Sequence, residues 1–302
     1  MAASRQTGHQ TRYPALQLGM ALAVSGTVGA FALEAGTDAM TTVFWRCAFG
    51  ALFLAGWCLA TGLHRTVTFT RRNLLLSGLA GAFLALCWAC LFSGFAMTSI
   101  ATATIVFQSY PFLLVLAGVA VLGDKLQLDQ VLWMIIAFVG VPLASGVTSG
   151  AVLSGSSWTL GVALTLAAAA AYVVTTMSVR AISDQPPEVT MMIQAMVGAV
   201  VLSFGANFQQ EISLPSWSWL VGMGVIHSGL VMVAMYSTYS LLTTPVIAIM
   251  NFIYPAVAIL LDWLVYHHPL TLLQWLGLAL IVVATLGVNL KWRFVTPRKA
   301  LP

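Results

Sequence analysis

The side chains able to do chemistry in this sequence are those that interrupt its apolar runs. Apart from residues at their ends, only Arg46 and Asp262 bring charge into such runs. A charge at membrane depth is costly unless it meets a partner or a water-filled cavity. The two are therefore expected to form a structural ion pair, directly or through Glu34 or Asp38, or to act in a gate. An uncharged set suits a small ligand better: Trp88, Gln108, Tyr172, His227 and Asn251 are the candidate substrate contacts. An indole face stacks on aromatic or cationic groups. A neutral imidazole can donate to a carboxylate, titrate near neutral pH, or simply join two helices. Gln108 and Asn251 likewise can serve a ligand or bond a neighbouring helix. Each stands close before a Tyr-Pro pair, Tyr110-Pro111 or Tyr254-Pro255. Proline removes one helical hydrogen bond and frees a carbonyl, so these turns are candidate hinges with backbone acceptors to offer.

The same inventory argues against other chemistry. His227 and Ser228 are adjacent and point about 100° apart on a helix, with no third group to orient them, so no catalytic residue is expected. His267-His268 has no further ligand at metal spacing, and Cys87-Trp88-Ala89-Cys90 is a CxxC inside an apolar stretch. Neither a metal site nor a cofactor is expected. Cys47 and Cys58 also lie in apolar stretches, which leaves no extracellular disulfide framework.

What positions these residues follows from composition. Of 302 residues, 60% are hydrophobic and 7% are charged, against about 25% charged in a soluble domain. Most of this surface must face lipid. A helix needs roughly 20 apolar residues to cross a bilayer, and ten runs qualify, at about 14–33, 39–61, 74–96, 100–122, 127–145, 158–179, 188–207, 217–241, 245–266 and 270–291. The first follows a polar segment, 1–13, and leads directly into the others, so no cleavable signal is expected. In the sixth run, Ala167 through Ala171 offer either a close helix contact or an open cavity wall ending at Tyr172.

Ten spans put both termini on one side. Arg5, Arg12, Arg65, Arg71, Arg72, Lys125, Arg180, Lys291, Arg293, Arg298 and Lys299 then share that side. The positive-inside rule makes it cytoplasmic; the chain is expected in the bacterial inner membrane.

Aligning Tyr110-Pro111 with Tyr254-Pro255 superimposes residues 99–143 on 243–287 without gaps, with matches that include Gln130/Gln274. An odd number of spans per half makes the copies insert in opposite directions. The expected fold is thus all-α integral membrane, with ten transmembrane helices as two inverted five-helix repeats. Residues 1–145 form the first repeat, 146–157 the Gly/Ser-rich linker, and 158–302 the second. In such plans the substrate sits near the midplane between repeats.

This 5+5 plan resembles the drug/metabolite transporter superfamily, specifically its ten-helix EamA-type exporters. The resemblance rests on Trp45-Arg46-Cys47-Ala48-Phe49 in the second span, on Pro111 through Gly123-Asp124-Lys125-Leu126, and on Pro255 through His268-Pro269-Leu270. His268 departs from the family, where an acidic residue is usual. Aromatic amino-acid exporters look similar in length and plan. The resemblance implies export by alternating access.

With Arg46 the only cation inside a span, phosphorylated sugars and nucleotides are unsuited. A neutral, zwitterionic or monocationic solute fits the polar set better, above all an aromatic or large apolar amino acid. With no carboxylate deep in a span, facilitated export is expected ahead of a proton-coupled multidrug or metabolite antiporter. A channel or membrane sensor is the alternative of another class. The partners expected are a small-molecule substrate and the bilayer, with no nucleic acid.

Overall fold

A bilayer core offers no water to the backbone, so each span must satisfy its own peptide groups as a helix. The computed structural model describes residues 13–67, 69–98, 100–144, 156–267 and 269–294. Among them every regular element is helical. Ten spans follow in order: α1 Pro14–Ala35, α2 Ala39–Ala60, α3 Arg71–Met97, α4 100–122, α5 Leu128–Ala144, α6 Ser156–Arg180, α7 Pro187–Leu202, α8 Leu214–Tyr239, α9 Thr244–Val265 and α10 Leu272–Asn289. Leucines and valines such as Leu52, Leu75, Val121 and Val200 point outward and remain exposed, as lipid-facing residues do.

Local signals set the ends. Asp38 accepts from the Thr41 amide, Thr70 from the Asn73 amide and Ser213 from the Ser216 amide, which satisfies donors that a helix start leaves open. Thr271 and Gln274 form a reciprocal capping box at the start of α10. Gly36 and Gly123 close α1 and α4 in the left-handed region, at φ 63° and 66°, a conformation that glycine adopts without strain. The seventh span stops at Leu202, short of the expected 207. There the chain turns over Ser203 and Gly205, and the Asn207 amide donates to Thr41 Oγ1 at 2.7 Å, pinning the connection to the start of α2. The Gly/Ser-rich linker falls mostly outside the described residues.

The packing has a two-fold pattern. Exchanging each helix for the one five places away maps α3–α6 onto α8–α1, α3–α7 onto α8–α2, and α4–α6 onto α9–α1. The pairs α2–α7, α4–α9 and α5–α10 map onto themselves. Those three pairs run antiparallel. Along α2–α7, Gly198 faces Cys47 and Gly205, just past the end of α7, faces Met40; along α5–α10, Gly277 faces Ala144 and Gly287 faces Trp133; the end of α4 at Gly118 meets the start of α9 at Thr244. Equivalent helices that lie antiparallel make the two five-helix halves inverted copies.

Small residues let these helices approach closely, as they do where lipid removes the hydrophobic drive for association. Ala168, Ala169 and Ala171 are buried, and Ala168 and Ala171 cluster with Cys87 of α3. The alanine run therefore serves close packing.

Three spans are interrupted. α1 breaks at Gly26-Thr27, α4 at Gln108-Ser109 and α9 at Asn251-Phe252. The last two breaks stand directly before Tyr110-Pro111 and shortly before Tyr254-Pro255. A further irregularity lies in α8, where Met223–Val231 is wound as a wide π-turn.

Candidate substrate cavity

The breaks in α4 and α9 face each other across a cavity of about 140 Å³. Its wall takes Ser25, Val28, Arg46, Trp88, Thr104, Gln108 and Tyr110 from the first half, and Tyr172, Met232, Met235, Asn251 and Tyr254 from the second. Both repeats therefore contribute, and the polar groups gather where two helices lose their regular hydrogen bonding.

Of the five expected substrate contacts, Trp88, Gln108, Tyr172 and Asn251 stand on this wall. Asn251 is half committed, since its amide Nδ2 donates to the Ile247 carbonyl at 2.7 Å. Gln108 makes no side-chain hydrogen bond to a described residue and keeps its amide for the cavity. Towards the face that carries the termini, aromatic rings close the space. Phe107 stacks on Tyr110 at 6.2 Å, and Tyr110 meets Tyr172 at 4.7 Å with the rings tilted by 53°. Tyr110 is anchored from its hydroxyl to Thr176 Oγ1 at 3.0 Å, and the Tyr236 hydroxyl donates to Gln194 Oε1 at 2.7 Å. Of the expected hinge residues, Tyr110 and Tyr254 face the cavity, and Pro111 and Pro255 are buried beside them.

His227 stands apart from the wall. It is buried in the wide turn of α8, with its ring edge-on to Phe31 at 4.8 Å and Nε2 3.0 Å from Thr27 Oγ1. The Thr27 hydroxyl also lies 2.8 Å from the Val24 carbonyl, so it stands between that carbonyl and the imidazole. This histidine joins α8 to the break in α1.

Arg46 meets neither Glu34 nor Asp38. Its Nε donates to Ser228 Oγ at 2.9 Å, and the guanidinium carbon lies 4.4 Å from the centre of the Trp88 ring. Among the described residues no carboxylate stands within 4 Å of it. Asp38 is occupied in capping α2, and Glu34 accepts from the Tyr266 hydroxyl at 3.1 Å. The Asp262 side chain and His268 lie outside the described residues.

An ion pair does form elsewhere, at the face that carries the termini. Arg180, closing α6, stands 3.4 Å from Asp124 in the α4–α5 connection. Thr244, at the start of α9, bridges the two: its hydroxyl meets both, and its amide donates to Asp124 Oδ2 at 3.1 Å. Arg180 also donates to the Leu242 carbonyl at 3.1 Å. One latch thus joins α4, α6 and α9 below the aromatic floor. Burial alone would push the Asp124 carboxyl up, but Thr244 and Arg180 outweigh it and hold the group below the usual carboxylate value. The sequence offered Gly123-Asp124 and Arg180 as separate fragments; their union depends on partners 56 and 120 residues apart.

Two inverted halves enclosing one midplane cavity define the secondary-transporter class of membrane protein. The chain belongs to the EamA-like transporter family, whose model matches it twice, over residues 15–146 and 159–290. It is 32% identical over 273 residues to the uncharacterized transporter YxxF of Bacillus subtilis, covering 88% of this chain and 86% of that one. An uncharacterized transporter of Archaeoglobus fulgidus is 25% identical over 284 residues, covering 93% and 97%. A solved crystal structure with 17% identity shares the fold, with a TM-score of 0.80 over 92% of this chain and 98% of its own. The protein is a multi-pass membrane transporter.

Proposed function

We propose that this transporter exports amino acids, preferentially aromatic or large apolar ones, by facilitated alternating access. The observation that carries the proposal is the cavity: a small space between the repeats, walled by aromatic rings and methionines, with the Gln108 amide and the Tyr254 hydroxyl bonded to no described side chain beside two broken helices. A cavity of roughly 150 Å³ is enough to take a benzene-sized group, which suits an aromatic side chain. The breaks in α4 and α9 free carbonyls that can accept from an ammonium, while Gln108 and Asn251 serve polar ends. Among the described residues no acidic side chain appears on the cavity wall, which supports facilitated movement over proton coupling.

The membrane is the bacterial inner membrane, with both termini in the cytoplasm, in keeping with eleven basic residues gathered on that face. The Asp124–Arg180–Thr244 latch then shuts the cytoplasmic side, and its release is the inward half of the cycle. Tyr110-Pro111 and Tyr254-Pro255 are the hinges at which α4 and α9 bend.

The test is counterflow in vesicles holding the purified protein, each amino acid in turn being asked to drive exchange. Saturable exchange of phenylalanine, tryptophan or leucine is expected. An imposed pH gradient is expected to produce no uphill accumulation. If no amino acid exchanges, the substrate assignment is wrong; if a pH gradient drives accumulation, the facilitated mode is wrong.

A further inference from the structure

A permanent positive charge in the cavity wall needs an explanation. Arginine stays protonated in proteins, and a charge at membrane depth is expensive unless something offsets it. Arg46 has two partial offsets: the π-face of Trp88 at 4.4 Å and the oxygen of Ser228, which takes the Nε hydrogen at 2.9 Å. Neither carries a full negative charge. Its two terminal nitrogens make no hydrogen bond to any described residue, although Arg46 lines the cavity. These contacts fix the guanidinium through one nitrogen and one face, and leave the paired donors that match a carboxylate free.

We infer that Arg46 is the carboxylate-binding residue of this transporter, and that the missing negative charge is supplied by the cargo. The inference rests on the cavity assignment above and deepens it. The cargo is then a monocarboxylate with apolar or aromatic bulk, and an α-amino group is accepted but not required. A cation uncompensated among the described residues matches one negative charge, so monocations and neutral amides are disfavoured and dianions are undercompensated. Gln108 and the Tyr254 hydroxyl, which bonds to no described residue, complete the polar end of the site. Trp88 is a positioning residue: it holds the guanidinium in place and gives its other surroundings to the cargo's ring.

The experiment compares four probes of one shape in counterflow: phenylalanine, 3-phenylpropanoate, phenylalaninamide and phenethylamine. Both carboxylates are expected to exchange, and the amide and the amine to exchange at least about tenfold less. Arg46→Gln should erase the acid-over-amide preference, and Arg46→Lys should keep part of it, as a charge without the paired geometry does. Equal exchange of phenylalanine and phenylalaninamide by the unaltered protein overturns the inference while leaving an amino-acid carrier standing, and requires no variant to fold. Retention of the preference in Arg46→Gln also overturns it. Exchange of 3-phenylpropanoate but not phenylalanine, abolished in Arg46→Gln, supports Arg46 and sinks the amino-acid assignment instead. Asp262→Asn is expected to leave the acid-over-amide ratio unchanged; a ratio that appears only in that variant means Asp262 holds the Arg46 charge and overturns the inference.

Discussion

Thr244 rests directly on Gly118: a β-carbon placed at Gly118 would stand 2.4 Å from Thr244 Oγ1 and 2.6 Å from its Cβ. The hydrogen atom of this glycine is what lets the start of α9 reach Asp124 and Arg180. Gly118→Ala is therefore expected to push α9 away and open the latch. In vesicles, a thiol introduced as Leu242→Cys should react faster with a charged reagent added to the side bearing the termini. Unchanged labelling in Gly118→Ala would show that the latch does not depend on this contact.

The latch should also respond to acid, with a definite sign. Asp124 is held below its ordinary value of 3.8, so its contribution is fully present above that pH and fades as pH falls through the folded value. The melting temperature of the detergent-purified protein should drop more steeply below pH 3.8 than that of Asp124→Asn. At neutral pH the substitution should cost about 1–3 kcal/mol, the range for a lost charge-assisted hydrogen bond. Parallel acid curves for the two proteins would remove Asp124 from the explanation.

Two tyrosines at matching repeat positions should separate function from stability. Tyr254 faces the cavity with no bonded partner among the described residues, so Tyr254→Phe should weaken substrate exchange and leave the melting temperature almost unchanged. The Tyr110 hydroxyl is bonded to Thr176, so Tyr110→Phe should lower stability by about 0.6 kcal/mol, the average for such bonds in a membrane bundle. A full measurement of exchange kinetics and thermal unfolding on both variants tests the contrast.

His227 should behave as a structural tie. His227→Ala is expected to lower the melting temperature, because it strips the Thr27 bond and the Phe31 contact. The order of preference among exchanged substrates should stay the same. A changed order would return His227 to the cargo site.

The architecture was legible in the sequence because lipid forces long apolar helices, and because Tyr-Pro recurs at one spacing. Those pairs also marked where α4 and α9 break. Gln108 and Asn251 fell on the cavity wall for the same reason, each standing next to a break. For His227 the sequence left a cargo role and a helix-joining role open, since the wide turn of α8 shifts the facing of its side chains from the ordinary helical period, and no residue type announces such a turn. The Arg46 environment was equally hidden: carboxylates at similar depth looked like partners, yet helix rotation and capping gave Asp38 and Glu34 other work. The latch was missed because Asp124 and Thr244 become neighbours only through the inverted packing of α4 on α9.

The seam between α5 and α10 has a mechanical meaning. A β-carbon on Gly277 would lie 2.3 Å from the Ala144 nitrogen and 2.6 Å from the Gly140 carbonyl, so backbone meets backbone with no slack, and Gly277→Ala should cost about 1–3 kcal/mol in stability through overpacking. Neither helix contributes to the cavity wall. A joint of that kind can roll but has little room to slide. If the two halves rock, this pair is their axle, and the travel falls to α4 and α9, which are already broken and of which α9 packs against both helices of the seam.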